Sequence, residues 1–282
     1  MTINRIILML WMLAALPCAG QAQSLGAGST AHRYNVVMLG DSNTWLGGDD
    51  CSKENGWSKW FREAFKPATC VSYARSGATW TNTVRTKDNT TENSGVITDD
   101  NVIYNQVKRL RQAWKAGTQP APDLIIILAG TNDAWFAKKR PEALTMTAAQ
   151  AFADKSLTTA TPPSKVLTLA KAVRHNVMIL KTLFPNARIV LLTPMQSTSI
   201  SRDKITITGN IIEDCAKSLG VSVIRLDPNK FIDSQRERTH KEHTTDGTHT
   251  NKEGAKLIGM EVAAKIRNII FTDNSKKHHK GK

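Results

Sequence analysis

A serine, a histidine and an aspartate lie in two short motifs far apart in the chain, and together they could activate a nucleophile. Ser42 ends the sequence GDS directly after the apolar residues 36–39, whereas Asp246 and His249 stand three positions apart in DGTH. A serine hydroxyl is a weak nucleophile at neutral pH and needs an adjacent base. His249 could take its proton, and Asp246 could orient the imidazole and stabilise its charged form. These residue types predict acyl transfer through a covalent intermediate.

Acyl transfer also needs fixed hydrogen-bond donors for the oxyanion of the tetrahedral intermediate. The backbone N–H groups of Ser42 and Gly77 are two candidates, and the side-chain amide of Asn132 is a third. Gly77 follows Ser76 in YARSGATW and has no Cβ to crowd the site, while Asn132 belongs to GTND. We therefore predict an oxyanion hole formed by Ser42, Gly77 and Asn132.

The fold must bring these motifs together, and the pattern of apolar residues indicates how. Short apolar runs, each a predicted strand, occur at residues 36–39, 70–74, 123–130, 187–193 and 221–226. Segments with apolar residues at helical spacing occur at 56–66, 103–114, 166–180, 207–219 and 252–270. Strict alternation of strand and helix predicts a three-layer α/β/α domain with a five-stranded parallel sheet.

The motifs fall where such a sheet binds ligands. Ser42, Ser76-Gly77 and GTND each follow a predicted strand, and DGTH precedes the last predicted helix. Ligands of open α/β sheets bind at the carboxyl edge of the strands. The polar stretches 85–99 and 134–163 are predicted to be insertions over the same edge.

With these motifs in this order, the sequence resembles the SGNH, or GDSL-type, hydrolases over roughly residues 34–270. The resemblance is carried by GDS (Ser42), Gly77, GTND (Asn132) and DGTH (Asp246 and His249). It implies a flavodoxin-like α/β/α fold and ester hydrolysis through an acyl-enzyme, without a metal or other cofactor.

Three tryptophans suggest a substrate class. Trp45, Trp80 and Trp135 each stand three residues after a motif residue, so their indoles could surround the site. Flat aromatic faces suit the apolar faces of sugar rings. We therefore predict an acetylesterase acting on a carbohydrate. A lysophospholipase or other lipid esterase is the first alternative, and a catalytically inactive carbohydrate-binding protein on the same fold is the second.

The N-terminus has the features of a secretory signal. Arg5 precedes a short apolar stretch, and small residues follow near Ala22, so we predict a signal peptide over residues 1–22 and a secreted or periplasmic protein. Pro17 disfavours lipid attachment at Cys18. The remaining predicted divisions are a linker over 23–33, a hydrolase domain over 34–271 without a membrane-spanning segment, and a basic disordered tail over 272–282.

The formal net charge of +14 favours anionic partners. No zinc-finger spacing or aromatic RNA-binding signature accompanies this charge, so nucleic acid is not predicted as a partner. The histidines His240, His243 and His249 lie close together but lack the His-Glu-x-x-His arrangement, so no metal site is predicted.

The sequence is compatible with a disulfide between Cys51 and Cys70 and also with two free thiols. A helix over residues 56–66 would span roughly 16 Å, whereas a disulfide needs Cα atoms within about 7 Å. The two cysteines flank opposite ends of that helix and could pair only if a loop folds back. Cys215 is predicted to be a buried free thiol on a helix.

Overall fold

Five apolar segments form one parallel sheet with the strand order β2-β1-β3-β4-β5. The computed structural model describes residues 33–91, 98–228 and 232–280. The strands, in chain order, are β1 (Asn35–Gly40), β2 (Thr69–Ser72), β3 (Leu124–Leu128), β4 (Arg188–Leu192) and β5 (Ser222–Ile224). The predicted fold class is therefore confirmed. The predicted signal peptide, and the predicted linker except for Arg33, lie outside the described residues.

Helices cover both faces of the sheet. They are α1 (Ser42–Trp45), α2 (Trp57–Phe65), α3 (Ile103–Lys115), α4 (Thr131–Phe136), α5 (Ala148–Ala153), α6 (Leu169–Leu183), α7 (Arg202–Leu219), α8 (Ser234–Thr239) and α9 (Lys252–Lys280). None of these helices is both long enough and apolar enough to span a lipid bilayer.

The core consists of two layers because successive strand residues point to opposite faces of the sheet. Val37 and Leu39 pack with apolar residues of α3, α6 and α7 on one face. Val36 and Met38 pack with α2 and α9 on the other. The central strand β3 is buried along its whole length, as expected for a strand covered on both sides.

The helix α9 continues to Lys280, into the segment over 272–282 that was predicted to be a basic disordered tail. Residues 272–280 contain no proline or glycine that would stop a helix. The preceding turns of α9 are anchored by buried residues such as Ile258 and Val262. Adding residues to an existing helix avoids the unfavourable nucleation step.

The loop after α1 brings Cys51 close to Cys70, although α2 lies between them in the sequence. The N–H of Ser72 donates to the carbonyl of Asp49 at 2.7 Å, so the loop runs beside the edge strand β2. Both cysteines are buried free thiols. A hydrogen bond between the two thiols, together with burial, raises the pKa of Cys70 far above its usual range. The length of α2 therefore does not separate the two thiols. Cys215 is a buried free thiol on α7, as predicted.

Candidate active site

Ser42 lies at the carboxyl end of the inner strand β1, at the start of α1. The chain leaves β1 through Gly40, where a Cβ would lie 2.4 Å from the carbonyl oxygen of Leu128, so no larger residue fits. Asp41 then caps α1 by accepting a hydrogen bond from the N–H of Asn43 at 3.1 Å. This tight turn fixes the position of the serine that follows it.

Gln106, on the neighbouring helix α3, fixes this turn and was not predicted from the sequence. The Gln106 side chain accepts from the Gly40 N–H and donates to the Gly40 carbonyl, both at 2.8 Å. Gln106 is fully buried on α3. A signal existed, because Gln106 interrupts the apolar face formed by Ile103, Val107 and Leu110. A polar side chain on a buried face needs a hydrogen-bond partner, which here is the backbone beside Ser42.

Ser42, His249 and Asp246 form a continuous hydrogen-bonded chain. The Ser42 Oγ lies 2.9 Å from His249 Nε2, and His249 Nδ1 lies 2.6 Å from Asp246 Oδ2. Asp246 Oδ1 accepts the backbone N–H of His249 at 2.8 Å and that of Thr248 at 2.9 Å. The structure thus brings together the three residues predicted to be catalytic. Their catalytic roles remain a prediction.

The hydrogen bonds of Asp246 also determine which imidazole nitrogen carries the proton. Burial opposes ionisation of this carboxyl, but the hydrogen bonds from His249 and Thr248 hold the pKa of Asp246 below its usual range. An ionised carboxylate only accepts hydrogen bonds, so His249 Nδ1 must donate to it. In a neutral imidazole, Nε2 is then the acceptor for the Ser42 hydroxyl proton, as a general base requires.

Two contacts hold the loop that carries Asp246 and His249 near Ser42. Asn43, next to the nucleophile, accepts the N–H of Thr250 through its side-chain carbonyl at 3.3 Å. Gly247 accepts the N–H of Thr198 at 2.8 Å. A Cβ at Gly247 would lie 2.0 Å from Thr198 Oγ1, so this contact requires glycine.

The predicted oxyanion donors come from three segments at the same sheet edge. Gly77 has a φ of 78°, a backbone conformation that favours glycine. Asn101 holds the turn beside Gly77 by donating its side-chain amide to the carbonyl of Ser76. Asn132 donates one amide hydrogen to the carbonyl of Ala78 at 3.0 Å. Because an amide carries two hydrogens, a second donor on Asn132 remains for a substrate oxygen.

The backbone donors predicted for the oxyanion hole have no competing acceptor among the described residues. Within the described part of the chain, neither the Ser42 N–H nor the Gly77 N–H donates to a protein acceptor. Such N–H groups at a helix start and a tight turn are suited to bind a developing negative charge.

Replacing Asn132 by alanine should lower kcat for a short-chain ester roughly 10²- to 10³-fold, the usual loss for one oxyanion donor. KM should change little, because the donor acts mainly on the charge of the transition state. Steady-state kinetics on an activated acetate ester measures both constants. Exposed Asn210, whose side chain bonds Arg225, provides a control substitution to alanine. Unchanged kcat in the Asn132 variant would remove this side chain from the oxyanion hole.

Two buried aspartates near the site, Asp41 and Asp133, accept backbone hydrogen bonds that hold the surrounding loops in place. Asp133 accepts the backbone N–H groups of Trp80 and Thr81 at 3.0 and 2.9 Å, which fixes the loop after Gly77. Burial raises the pKa of Asp133. Burial also raises the pKa of Asp41 to about 6, although the hydrogen bond from Asn43 acts in the opposite direction.

Titration of Asp41 predicts a pH dependence of stability. The folded chain keeps the Asp41 proton up to about pH 6, whereas the unfolded chain loses it near pH 3.8. Because the unfolded state then binds fewer protons, this group makes the free energy of unfolding fall as the pH rises from 4 to 6. Asp41→Asn keeps the helix cap and removes this titration. Its stability relative to the unmodified protein should therefore rise by on the order of 2–3 kcal/mol between pH 4 and pH 7.

Urea unfolding of the two proteins at both pH values measures this difference. Asp203→Asn, on the exposed first turn of α7, provides the control and should follow the unmodified protein at both pH values. An equal pH dependence in the Asp41→Asn protein would contradict the assignment of the raised pKa to Asp41.

The three predicted substrate-binding tryptophans occupy different environments. Trp135 is 47% exposed on α4 and Trp45 is half-buried on α1, but Trp80 is fully buried in the core. The prediction is wrong for Trp80, which cannot reach a polymer. The backbone N–H groups of Trp80 and Thr81 donate to Asp133, and this loop places the indole in the core cluster that also contains Val37 and Val102.

The histidines before the last helix have separate partners. His240 Nδ1 lies 2.9 Å from Thr239 Oγ1, and His243 faces Glu237 and Glu242 at 3.9 and 4.0 Å. Across the described residues, no three His, Cys, Asp or Glu side chains are arranged to hold a metal ion.

Comparisons with known proteins place the chain in a family. Residues 36–262 match the sequence model of the family described as GDSL-like Lipase/Acylhydrolase. No protein of curated function matches the sequence.

Solved structures with the same fold share little sequence with this chain. A protein from Chitinophaga pinensis described as a possible lipase is 15% identical, with a TM-score of 0.57, over 84% of this chain and 99% of that one. The acetyl xylan esterase AlAXEase is 16% identical, with a TM-score of 0.51, over 82% and 98%. A Parabacteroides merdae structure described as a GDSL-like lipase is 16% identical, with a TM-score of 0.51, over 83% and 97%.

At these identities, the likeness to solved structures shows only the fold. The match to the family model spans most of the chain and includes all five predicted site residues, Ser42, Gly77, Asn132, Asp246 and His249. The chain belongs to the GDSL-like lipase/acylhydrolase family, whose members hydrolyse ester bonds.

Proposed function

We propose that this protein is an exported serine esterase that removes acetyl groups from a carbohydrate. The observation that carries the esterase part is the hydrogen-bonded chain from Ser42 Oγ through His249 to Asp246, with distances of 2.9 and 2.6 Å. Export rests on the signal-like sequence at residues 1–22.

In the proposed reaction, His249 Nε2 takes the Ser42 hydroxyl proton as Oγ attacks the ester carbonyl carbon. The resulting oxyanion accepts hydrogen bonds from the N–H groups of Ser42 and Gly77 and from the Asn132 amide. The intermediate collapses to an acyl-enzyme, and His249 returns the proton to the departing alcohol. Water then attacks the acyl-enzyme with the same base, which releases acetate and restores Ser42.

A carbohydrate substrate is supported by the surface around the site. The exposed indole of Trp135 lies on the same helix as Asn132, one turn further along. An aromatic face beside the reacting group suits a sugar ring. The acetyl xylan esterase among the solved structures has the same fold, but the proposal rests on this chain's own residues because the identity is low.

One feature favours the lipid alternative. Val84 is 72% exposed and lines a cavity of about 450 Å³ together with Phe136. The same cavity is lined by charged side chains, namely Arg85, Asp99, Lys139, Arg140 and Glu142. A long acyl chain needs a continuous apolar lining, which this cavity does not supply.

The acyl preference tests the proposed function. We expect kcat/KM to be higher for an acetyl ester than for an octanoyl ester of the same alcohol, because charged groups line the cavity near Val84. Measuring acetate release from a panel of acetylated polysaccharides then identifies the polymer. A clear preference for octanoyl, with no acetate released from any polysaccharide, would favour the lipid esterase.

A further inference from the structure

A cavity of about 440 Å³ lies between the end of α4 and the start of α7. We call it the Trp135 cavity. Its described lining residues are Ala134, Trp135, Lys138, Ser199, Ile200, Ser201 and Lys204. This volume is in the range of cavities that bind small ligands. The lining combines one aromatic face, two cationic side chains and two hydroxyl groups, which is a suitable set for a charged sugar.

Both walls of the Trp135 cavity belong to segments that also contribute to the candidate active site or contact it. One wall belongs to α4, which also carries Asn132. The other begins with Ser199, next to Thr198, whose N–H donates to Gly247 in the loop that carries His249. A polymer whose ester lies at Ser42 therefore has this cavity as an adjacent subsite.

The positive charge in the Trp135 cavity is not neutralised by any acidic side chain of the described residues. Among its described lining residues there is no aspartate or glutamate, and neither Lys138 nor Lys204 forms an ion pair within the described chain. Cations without a partner in the protein attract an anionic ligand.

Two other cavities have acidic side chains among their lining residues, and in each of them an acidic side chain pairs with a cation of the same cavity. In the cavity beside Val84, Arg85 pairs with Asp99 at 2.7 Å. In the cavity of about 510 Å³ beside α2, Lys59 pairs with Glu63 at 3.5 Å. The absence of an acidic side chain among its described lining residues therefore distinguishes the Trp135 cavity from both.

We propose that the Trp135 cavity binds an anionic sugar residue of the substrate, a uronic acid next to the acetylated position. The Trp135 indole stacks on the sugar ring, and Lys138 and Lys204 pair with its carboxylate. This inference rests on the proposed function, because it names the polymer as an acidic polysaccharide. The overall charge of +14 is consistent with such a polymer.

The test compares Lys138→Gln/Lys204→Gln with the unmodified enzyme on acetylated polygalacturonate, on acetylated xylan and on p-nitrophenyl acetate. We expect kcat/KM on the acidic polymer to fall roughly tenfold or more, the loss typical of charged hydrogen bonds. On the other two substrates it should change less than twofold. Added salt should lower activity only on the acidic polymer, and less steeply in the variant.

Lys115→Gln provides a matched control, because Lys115 is an exposed lysine at the far end of α3. It should behave as the unmodified enzyme on all three substrates. Trp135→Ala should lower kcat/KM on the polymers by a larger factor than on p-nitrophenyl acetate, because the small ester needs no stacking surface. Equal losses on all substrates, or no loss on the acidic polymer, would overturn the proposal.

A binding measurement separates this proposal from the proposed function. The Ser42→Ala protein should bind an oligogalacturonate, measured by calorimetry, and the added lysine substitutions should weaken that binding roughly tenfold. If no polysaccharide releases acetate, the proposed function fails, and the binding result still decides the subsite. If xylan is deacetylated normally and oligogalacturonate does not bind, the subsite fails and the esterase proposal stands.

Discussion

Replacing Ser42 by alanine should lower kcat for a short-chain ester roughly 10⁵- to 10⁶-fold, because the variant has no nucleophile to form the acyl-enzyme. Stability should change little. The side chain loses only its hydroxyl at the start of α1, and the packing of the core does not depend on it. Steady-state kinetics and thermal unfolding measure the two effects.

Ser58→Ala is the matched control for this experiment. Ser58 is a fully buried serine whose hydroxyl has no partner within the described structure. Its removal should leave kcat unchanged. A fluorophosphonate should add its mass to Ser42 in the unmodified protein and add nothing to the Ser42→Ala protein. An unlabelled, inert Ser42 would instead favour the inactive carbohydrate-binding protein, and near-normal turnover by Ser42→Ala would refute the role of Ser42.

Replacing His249 by alanine should lower kcat by a similar factor, because the serine then has no base and the departing alcohol has no acid. The double variant with Ser42→Ala should be no slower than either single variant, since residues that act as a unit have non-additive effects. Added imidazole should restore part of the activity of His249→Ala but none of the activity of Ser42→Ala.

His240→Ala controls for the loss of a histidine from the same loop. His240 is exposed, and within the described residues its side chain bonds only to Thr239, so its replacement should leave kcat and KM unchanged. If His249→Ala kept substantial activity without imidazole, a different base would have to be found. His243 would be examined first, because it precedes His249 in the same segment.

Local sequence features predicted most of the fold. Strands such as β3 consist almost wholly of apolar residues, and the helices carry apolar residues at a period that matches their geometry. A helix that connects two strands of one sheet leaves them parallel, and this crossover is almost always right-handed. A parallel sheet therefore followed from the alternation of strands and helices. The strand order β2-β1-β3-β4-β5 was not predicted, because it depends on which crossovers pack together.

The tryptophans show where the sequence was insufficient. Trp80 and Trp135 have the same spacing from a motif residue, yet one is fully buried and the other is 47% exposed. Sequence spacing gives distance along the chain, but the side-chain direction depends on how the backbone is held. For Trp80, the backbone hydrogen bond to Asp133 determines the direction of the side chain, and it joins residues 53 positions apart.

The sequence alone determined the order of elements, the candidate residues Ser42, Asp246 and His249 and the edge at which they meet, because these follow from local periodicity and strand polarity. Tertiary structure decided which side chains actually face one another. It placed Gln106 against Gly40, Cys51 against Cys70, and two unpaired lysines beside Trp135. These juxtapositions depend on long-range packing, in which each contact forms only after the surrounding elements are in place, and no local pattern records them.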